Sequence, residues 1–108
     1  MKKFNINDFN RGWFVGNFEP SLIKTNDVEV AYKSFEVGET EKKHFHKIAT
    51  ELTLVANGRI SMNNIEYVKG DIVVIEPNTP CDFKAIEKSN LVVVKYPGAS
   101  NDKYEVDE

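Results

Sequence analysis

The chain has a single cysteine, Cys81, so no disulfide can form within it. That usage fits a reducing compartment, and a cytoplasmic location is expected. No apolar run approaches the roughly 18 residues a membrane-spanning helix needs, so no membrane partner is expected. The opening Met1–Asn10 carries lysines but no apolar stretch after them, which excludes a secretory signal from the reading. Arginine is scarce, with only Arg11 and Arg59, the lysines are scattered, and the net charge is −3. A nucleic-acid binder usually shows a basic stripe, so no nucleic-acid partner is expected. A glycine-rich phosphate loop, a nucleophile elbow and a paired-cysteine zinc pattern are all missing.

What remains is a chain of 108 residues, 41% hydrophobic and 29% charged, the make-up of one globular domain. Short runs of β-branched and aromatic residues recur between turn signals, which predicts an all-β sandwich or barrel. The runs are Val28–Val37, His44–Lys47, Glu51–Ala56, Arg59–Met62, Ile65–Val68, Ile72–Ile75, Phe83–Ile86 and Leu91–Tyr96. Gly38–Lys43 reads as a polar turn and Pro77–Pro80 as a rigid loop. Asn57-Gly58 predicts a hairpin pairing Glu51–Ala56 with Arg59–Met62, because both turn residues tolerate positive φ. Asn63-Asn64 and Lys69–Asp71 predict two further turns. The unbroken apolar Ile72–Ile75 predicts a strand buried on both faces.

Three regions follow within one domain: an arm or lid over 1–27, a barrel over 28–97, and an acidic tail over 98–108. In the arm, Asn7–Arg11 can form one helical turn capped by Asn7 or Asp8. Trp13 either caps the barrel mouth or simply packs. The tail, with Asp102, Glu105, Asp107 and Glu108, is expected to be loosely attached.

Both histidines of the chain sit in His44-Phe45-His46. Residues two apart on a strand face the same side, so both imidazoles can reach one point while Phe45 turns away. Glu51 opens the next strand. Two imidazoles and a carboxylate form the ligand set of non-haem iron sites, and also serve zinc with a position left for water. A divalent metal, with zinc, iron or nickel favoured, is the expected cofactor.

The spacing of these residues carries a resemblance. Gly38, five residues, His44, one, His46, four, Glu51, six, Gly58 matches the first sequence motif of the cupin superfamily at every defined position. The resemblance covers roughly residues 28–97. It implies a double-stranded β-helix barrel whose inward-facing ligand positions hold a divalent metal, and small cupins that commonly pair through their N-terminal strands. The apolar Trp13–Phe18 segment suits such a homodimer. The second motif is degenerate. Gly70 matches, Glu76 stands in place of proline beside Pro77, and Asn78 replaces a glycine while tolerating the same left-handed turn. Cys81 takes the place of the fourth ligand, normally histidine, and Ala85 replaces asparagine.

Three readings of Cys81 stay open at this point. Its thiolate completes the site, or the neighbouring Asp82 supplies an oxygen after a bend beyond Pro80, or Cys81 is a small buried hydrophobe. Strand alternation from Glu51 puts Thr53 and Val55 on the barrel interior, with Met62, Ile72, Val74 and Phe83 as further pocket neighbours. No catalytic base stands out, and Tyr32, Tyr67 and Asp82 are the polar candidates. The sequence leaves open whether the protein is an enzyme. One class is a metal-dependent isomerase or epimerase, dioxygenase or lyase acting on a small molecule. The other is a non-catalytic small-ligand or metal-binding, sensing module. Sparse arginine argues against a sugar nucleotide, whose diphosphate needs cationic clamps, although Lys47 or Lys95 can supply one.

Overall fold

The computed structural model describes residues 1–106, so Asp107 and Glu108 of the expected tail lie outside the described residues. Two five-stranded antiparallel sheets face each other. In chain order the strands are β1 (Trp13–Val15), β2 (Glu29–Phe35), β3 (Thr40–Phe45), β4 (Thr50–Asn57), β5 (Arg59–Met62), β6 (Ile65–Val68), β7 (Ile72–Ile75), β8 (Cys81–Ala85), β9 (Ser89–Tyr96) and β10 (Tyr104–Glu105). Sheet A runs β1-β2-β9-β4-β7 and sheet B runs β10-β3-β8-β5-β6.

Alternation sets the inside of the barrel. On β8, Cys81, Phe83 and Ala85 are buried while Lys84 is exposed; on β9, Ser89, Leu91 and Val93 are buried. Sheet A contributes Ala31, Val55, Ile75, Leu91 and Val93 to one apolar core, and sheet B contributes Ile60, Met62, Cys81, Phe83 and Ala85. Phe35 meets Phe83 across the gap with ring centroids 4.5 Å apart, so the two sheets interlock through aromatic contact.

Several expectations need correction. Asn57-Gly58 does not close a hairpin. β4 pairs with β7 and β9, and β5 pairs with β6 and β8, so the chain changes sheets at this corner. Gly58 still needs its positive φ of 91°, and a Cβ there would collide with Ser89 Oγ and the Lys88 carbonyl. The Asn63-Asn64 hairpin does form, with φ of 50° and 64° at its two residues. The polar stretch Gly38–Lys43 is mostly strand, because Thr40–Lys43 begin β3 and Thr40 and Glu41 pair in register with β8. β7 is the edge of sheet A and is open on its outer face, so Ile72 and Val74 are 62% and 59% exposed. The unbroken apolar run gave no alternation from which to see this.

The arm folds onto its own chain. Two 3₁₀ turns, Ile6–Asp8 and Asn10–Gly12, lie before β1, and the first is capped by Asn5 in a reciprocal box with Asp8. The helical turn falls where the sequence predicts one, but its cap is Asn5 rather than Asn7 or Asp8, two or three residues earlier. β1 pairs with β2, and Gly12 passes so close to the Tyr32 carbonyl that no Cβ would fit.

The tail is also attached. β10 pairs with β3, placing Tyr104 opposite Phe45, and the two rings stack at 5.5 Å. Asp102 is buried at 5% exposure. Its carboxylate accepts from the backbone N–H groups of Lys47 (3.0 Å), Ile48 (3.0 and 3.2 Å) and Ala49 (3.0 Å). Burial alone would raise this carboxyl, but those amides outweigh it and hold its pKa below the ordinary value. No helix among the described residues is long and apolar enough to cross a membrane.

Candidate metal centre

His44, His46, Glu51 and Cys81 come from three strands and the loop after β3, and all four line one small cavity of about 20 Å³. β3 and β8 bring His44 opposite Cys81, and β4 carries Glu51 opposite Ile75. The loop from His46 to Glu51 is the segment whose amides Asp102 gathers. The two imidazoles meet edge to face, with centroids 5.3 Å apart and planes at 83°. His44 Nδ1 lies 2.8 Å from the Lys42 carbonyl. Only an N–H can serve a carbonyl, so Nδ1 carries a proton, and in the neutral ring this tautomer leaves the Nε2 lone pair for a ligand.

His46 is 6% exposed, and its Nε2 is buried without a hydrogen-bond partner among the described residues. Burial first, then the positive charge of Lys95, lowers its pKa to about 4, so the ring is neutral near pH 7. Burial likewise raises the Glu51 carboxyl, opposed by Lys95. Thr53 Oγ1 approaches Glu51 Oε2 at 3.4 Å. Burial pushes the Cys81 thiol up to about 11, so it is protonated and behaves as the S–H donor facing the Asp82 carbonyl at 3.2 Å.

Among the described residues no three His, Cys, Asp or Glu side chains are drawn together as a ready-made ligand cluster. The donor set nevertheless suits a divalent ion. Two imidazoles, that of His46 neutral, and a carboxylate share a cavity with room for one ion or one water. A buried imidazole nitrogen without a partner is a cost that a ligand would remove.

The remaining predicted residues divide. Met62 and Phe83 line the cavity as expected. Thr53 and Val55 face inward but sit deeper, at 2% and 0% exposure. Val74 faces outward with its β4 neighbour Leu52, while Val73 and Ile75 face in, which corrects the pocket assignment of Val74. Asp82 borders the cavity, but its Oδ1 takes the Asn63 N–H at 2.7 Å. Tyr32 sits on the outer face of sheet A and Tyr67 packs against the core. Glu41, Ile75 and Thr79 line the cavity without having been singled out. Glu41 has the same parity as Phe45 rather than the histidines, and a bulge between Glu41 and His44 overrides that parity. Asn78 adopts φ 65°, the left-handed turn expected of a glycine stand-in.

The buried neutral His46 predicts a pH dependence in metal-free protein. Its pKa falls from 6.5 unfolded to about 4 folded, so the unfolded state takes up a proton first as pH falls. Stability present above pH 6.5 is therefore lost on acidification, by roughly 2 kcal/mol at pH 5. Glu51, whose carboxyl is raised by burial, works the other way: its folded form takes up a proton before the unfolded chain does, from above the ordinary carboxylate value downward, which offsets part of the loss. Urea unfolding with chelator at pH 7.5 and 5 should show the loss, and a His46→Leu variant should lack it. Equal losses in both proteins would reject the assignment.

The two facing sheets and their inward-facing site define the class: this is a double-stranded β-helix protein. Within that class the chain has the cupin fold. No family model matches the sequence, and no curated protein matches it. Solved structures do match. An uncharacterised double-stranded β-helix protein from Klebsiella pneumoniae is 21% identical, with 100% of this chain and 99% of that one covered and a TM-score of 0.72. An RmlC-like cupin from Desulfovibrio desulfuricans is 20% identical over 72% of this chain and 79% of its own, with a TM-score of 0.62. KdgF from Halomonas sp. is 21% identical over 71% and 74%, also with a TM-score of 0.62.

Proposed function

We propose that this small cupin binds one divalent metal through His44, His46 and Glu51 and uses it on a small molecule. The observation that carries the reading is the buried, partnerless His46 Nε2 in a cavity shared with His44, Glu51 and Cys81. A metal held there would act as a Lewis acid toward a bound oxygen. The chain's own part is to orient the ligands. The Lys42 carbonyl fixes the His44 tautomer, the Asp102 clamp sets the loop between His46 and Glu51, and Thr53 faces the Glu51 carboxylate. Iron would point to oxygen chemistry, and zinc or nickel to isomerase or lyase chemistry. The second reading, a non-catalytic sensing or binding module, draws support from the size of the cavity, which has no space beside the ion for a substrate in this shape.

The test is metal analysis of protein purified without chelator or nickel resin. Near one equivalent of a transition metal is expected, and none, even after incubation with zinc or ferrous iron, would end the proposal. Cobalt substitution addresses Cys81. An intense thiolate-to-metal band that disappears in Cys81→Ser would make Cys81 the fourth ligand, and no band in the parent leaves it as core packing.

We propose further that the protein is a homodimer, joined through sheet A. The arm packs on its own barrel, but the outer face of sheet A carries two complete cross-strand rows. These are Val30–Val94–Leu52–Val74 and Tyr32–Val92–Leu54–Ile72. A monomer rarely leaves so continuous an apolar patch to water, and a second copy of the same flat face would cover it. Light scattering should give about 25 kDa, twice the 12.3 kDa chain mass, and Leu52→Lys with Val74→Lys should give the monomer. A parent protein that runs only as the monomer would overturn this.

A further inference from the structure

A second hollow, of about 300 Å³, opens beside β1 on the inner side of sheet A, separate from the metal cavity. Its apolar walls include Trp13 and Phe18. Its charged lining is mostly cationic: Arg11, Lys33, Lys95 and Lys103, against Glu19 and Glu29. This concentration is unexpected in a chain of net charge −3.

Neither carboxylate makes an ion pair with any of these four cations. Glu19 is paired with Lys24 at 2.8 Å, and Glu29 accepts the Ala99 N–H at 2.8 Å. Lys33 has its own partner outside the hollow, Glu41 at 3.7 Å. Arg11, Lys95 and Lys103 make no ion pair among the described residues.

Lys95 is the central group. It stands on β9 between Glu29 of β2 and Glu51 of β4 in register, yet pairs with neither. Its ammonium instead lies 4.8 Å from the Trp13 ring centroid, with Lys33 Nζ 5.4 Å from the same ring. Holding ammonium groups together beside an aromatic wall costs repulsion that a bound anion would relieve. The volume is at the lower end of small-molecule sites, where a few placed charges on apolar walls fix a ligand.

We propose that this hollow binds a small organic anion, with its carboxylate or phosphate head at Lys95 and Lys103 and its apolar body against Trp13 and Phe18. Lys95 then lies between this ligand and the Glu51 side of the metal cavity, so an anion seated here would reach toward that cavity from the β1 edge. The proposal does not require the metal.

Trp13 is the only tryptophan and lines this hollow, so its emission reports on ligand seated there. The full chain, stripped of metal with EDTA, is titrated with benzoate, phenyl phosphate and the neutral benzamide. The expected result is a saturable change with at least one of the two anions, calorimetric heat in step with it, and no saturable change with benzamide. If only phenyl phosphate responds, the head group is phosphate; if only benzoate, carboxylate. Lys95→Met should weaken binding tenfold or more, and Lys103→Gln, on a more exposed strut of the site, at least threefold with an unaltered melting temperature. Benzamide binding as well as the anions, no saturable response to either anion, or Lys103→Gln and a folded Lys95→Met both binding like the parent would overturn it. The metal analysis is read on separate protein, so either proposal can fail alone.

Discussion

Replacing Asp102 with alanine should lower stability by about 3–4 kcal/mol, the largest loss expected from any single polar substitution in this chain. The carboxylate is 5% exposed and accepts from the amides of Lys47, Ile48 and Ala49. Each hydrogen bond to a charged group contributes roughly 1.5–3 kcal/mol, and bonds to one carboxylate do not add fully. Removal also leaves these amides facing a hole, Ala49 among them at 1% exposure. For a domain near 100 residues, a loss of that size corresponds to a melting temperature lower by about 12–25 °C. Asp102→Asn keeps one acceptor oxygen without the charge and should lose about half as much. Because the clamped loop joins His46 to Glu51, metal affinity should fall in both variants as well. Calorimetric melting of the three proteins checks this, and an Asp102→Ala protein melting within 3 °C of the parent would show that the clamp is dispensable.

His46→Leu should separate the cost of the site from its use. Leucine is close to histidine in volume and has no nitrogen to desolvate. Leaving a buried polar atom without a partner costs about 1–3 kcal/mol, so in chelator at pH 7.5 the variant should melt at the parent's temperature or a few degrees above it. With zinc, nickel or ferrous iron the order reverses. A ligand at a thousand times its dissociation constant stabilises by about 4 kcal/mol, so the parent should gain ten degrees or more while the variant gains almost nothing. A metal shift of equal size in both proteins would remove His46 from the ligand set. A variant much less stable in chelator would mean that His46 is a packing residue.

The fold was largely readable because β-branched runs and turn residues alternate along the chain, and because Gly38, Gly58 and Asn78 all stand where positive φ is needed. The grouping of the candidate residues was legible for the same local reason: His44 stands near the end of β3, His46 follows two residues on, and Glu51 lies at the start of β4. What escaped was non-local. Asn57-Gly58 signals a backbone conformation but says nothing about which sheet the next strand joins. Ile72–Ile75 has no polar residue to reveal which side faces water, so Val74 went to the wrong face. Glu41 is hidden by a bulge that breaks the two-residue period. Asp102 looked like one more acid in a soluble tail, and its partners lie more than fifty residues earlier, where only the folded chain brings them.

The strand order of sheet A has a consequence for how the chain is made. β9, the centre of that sheet, is flanked by β2 and β4, yet it spans Ser89–Tyr96. During synthesis β2 and β4 leave the ribosome with no neighbour between them, and both carry apolar side chains toward each face. Their pairing waits on loop closure over more than fifty residues from β2, the kind of long-range contact that slows folding. Until β9 arrives, each is an open edge able to join a strand of another nascent chain. Expression at low temperature, or with a chaperone that shields such edges, therefore bears on yield through this one late strand.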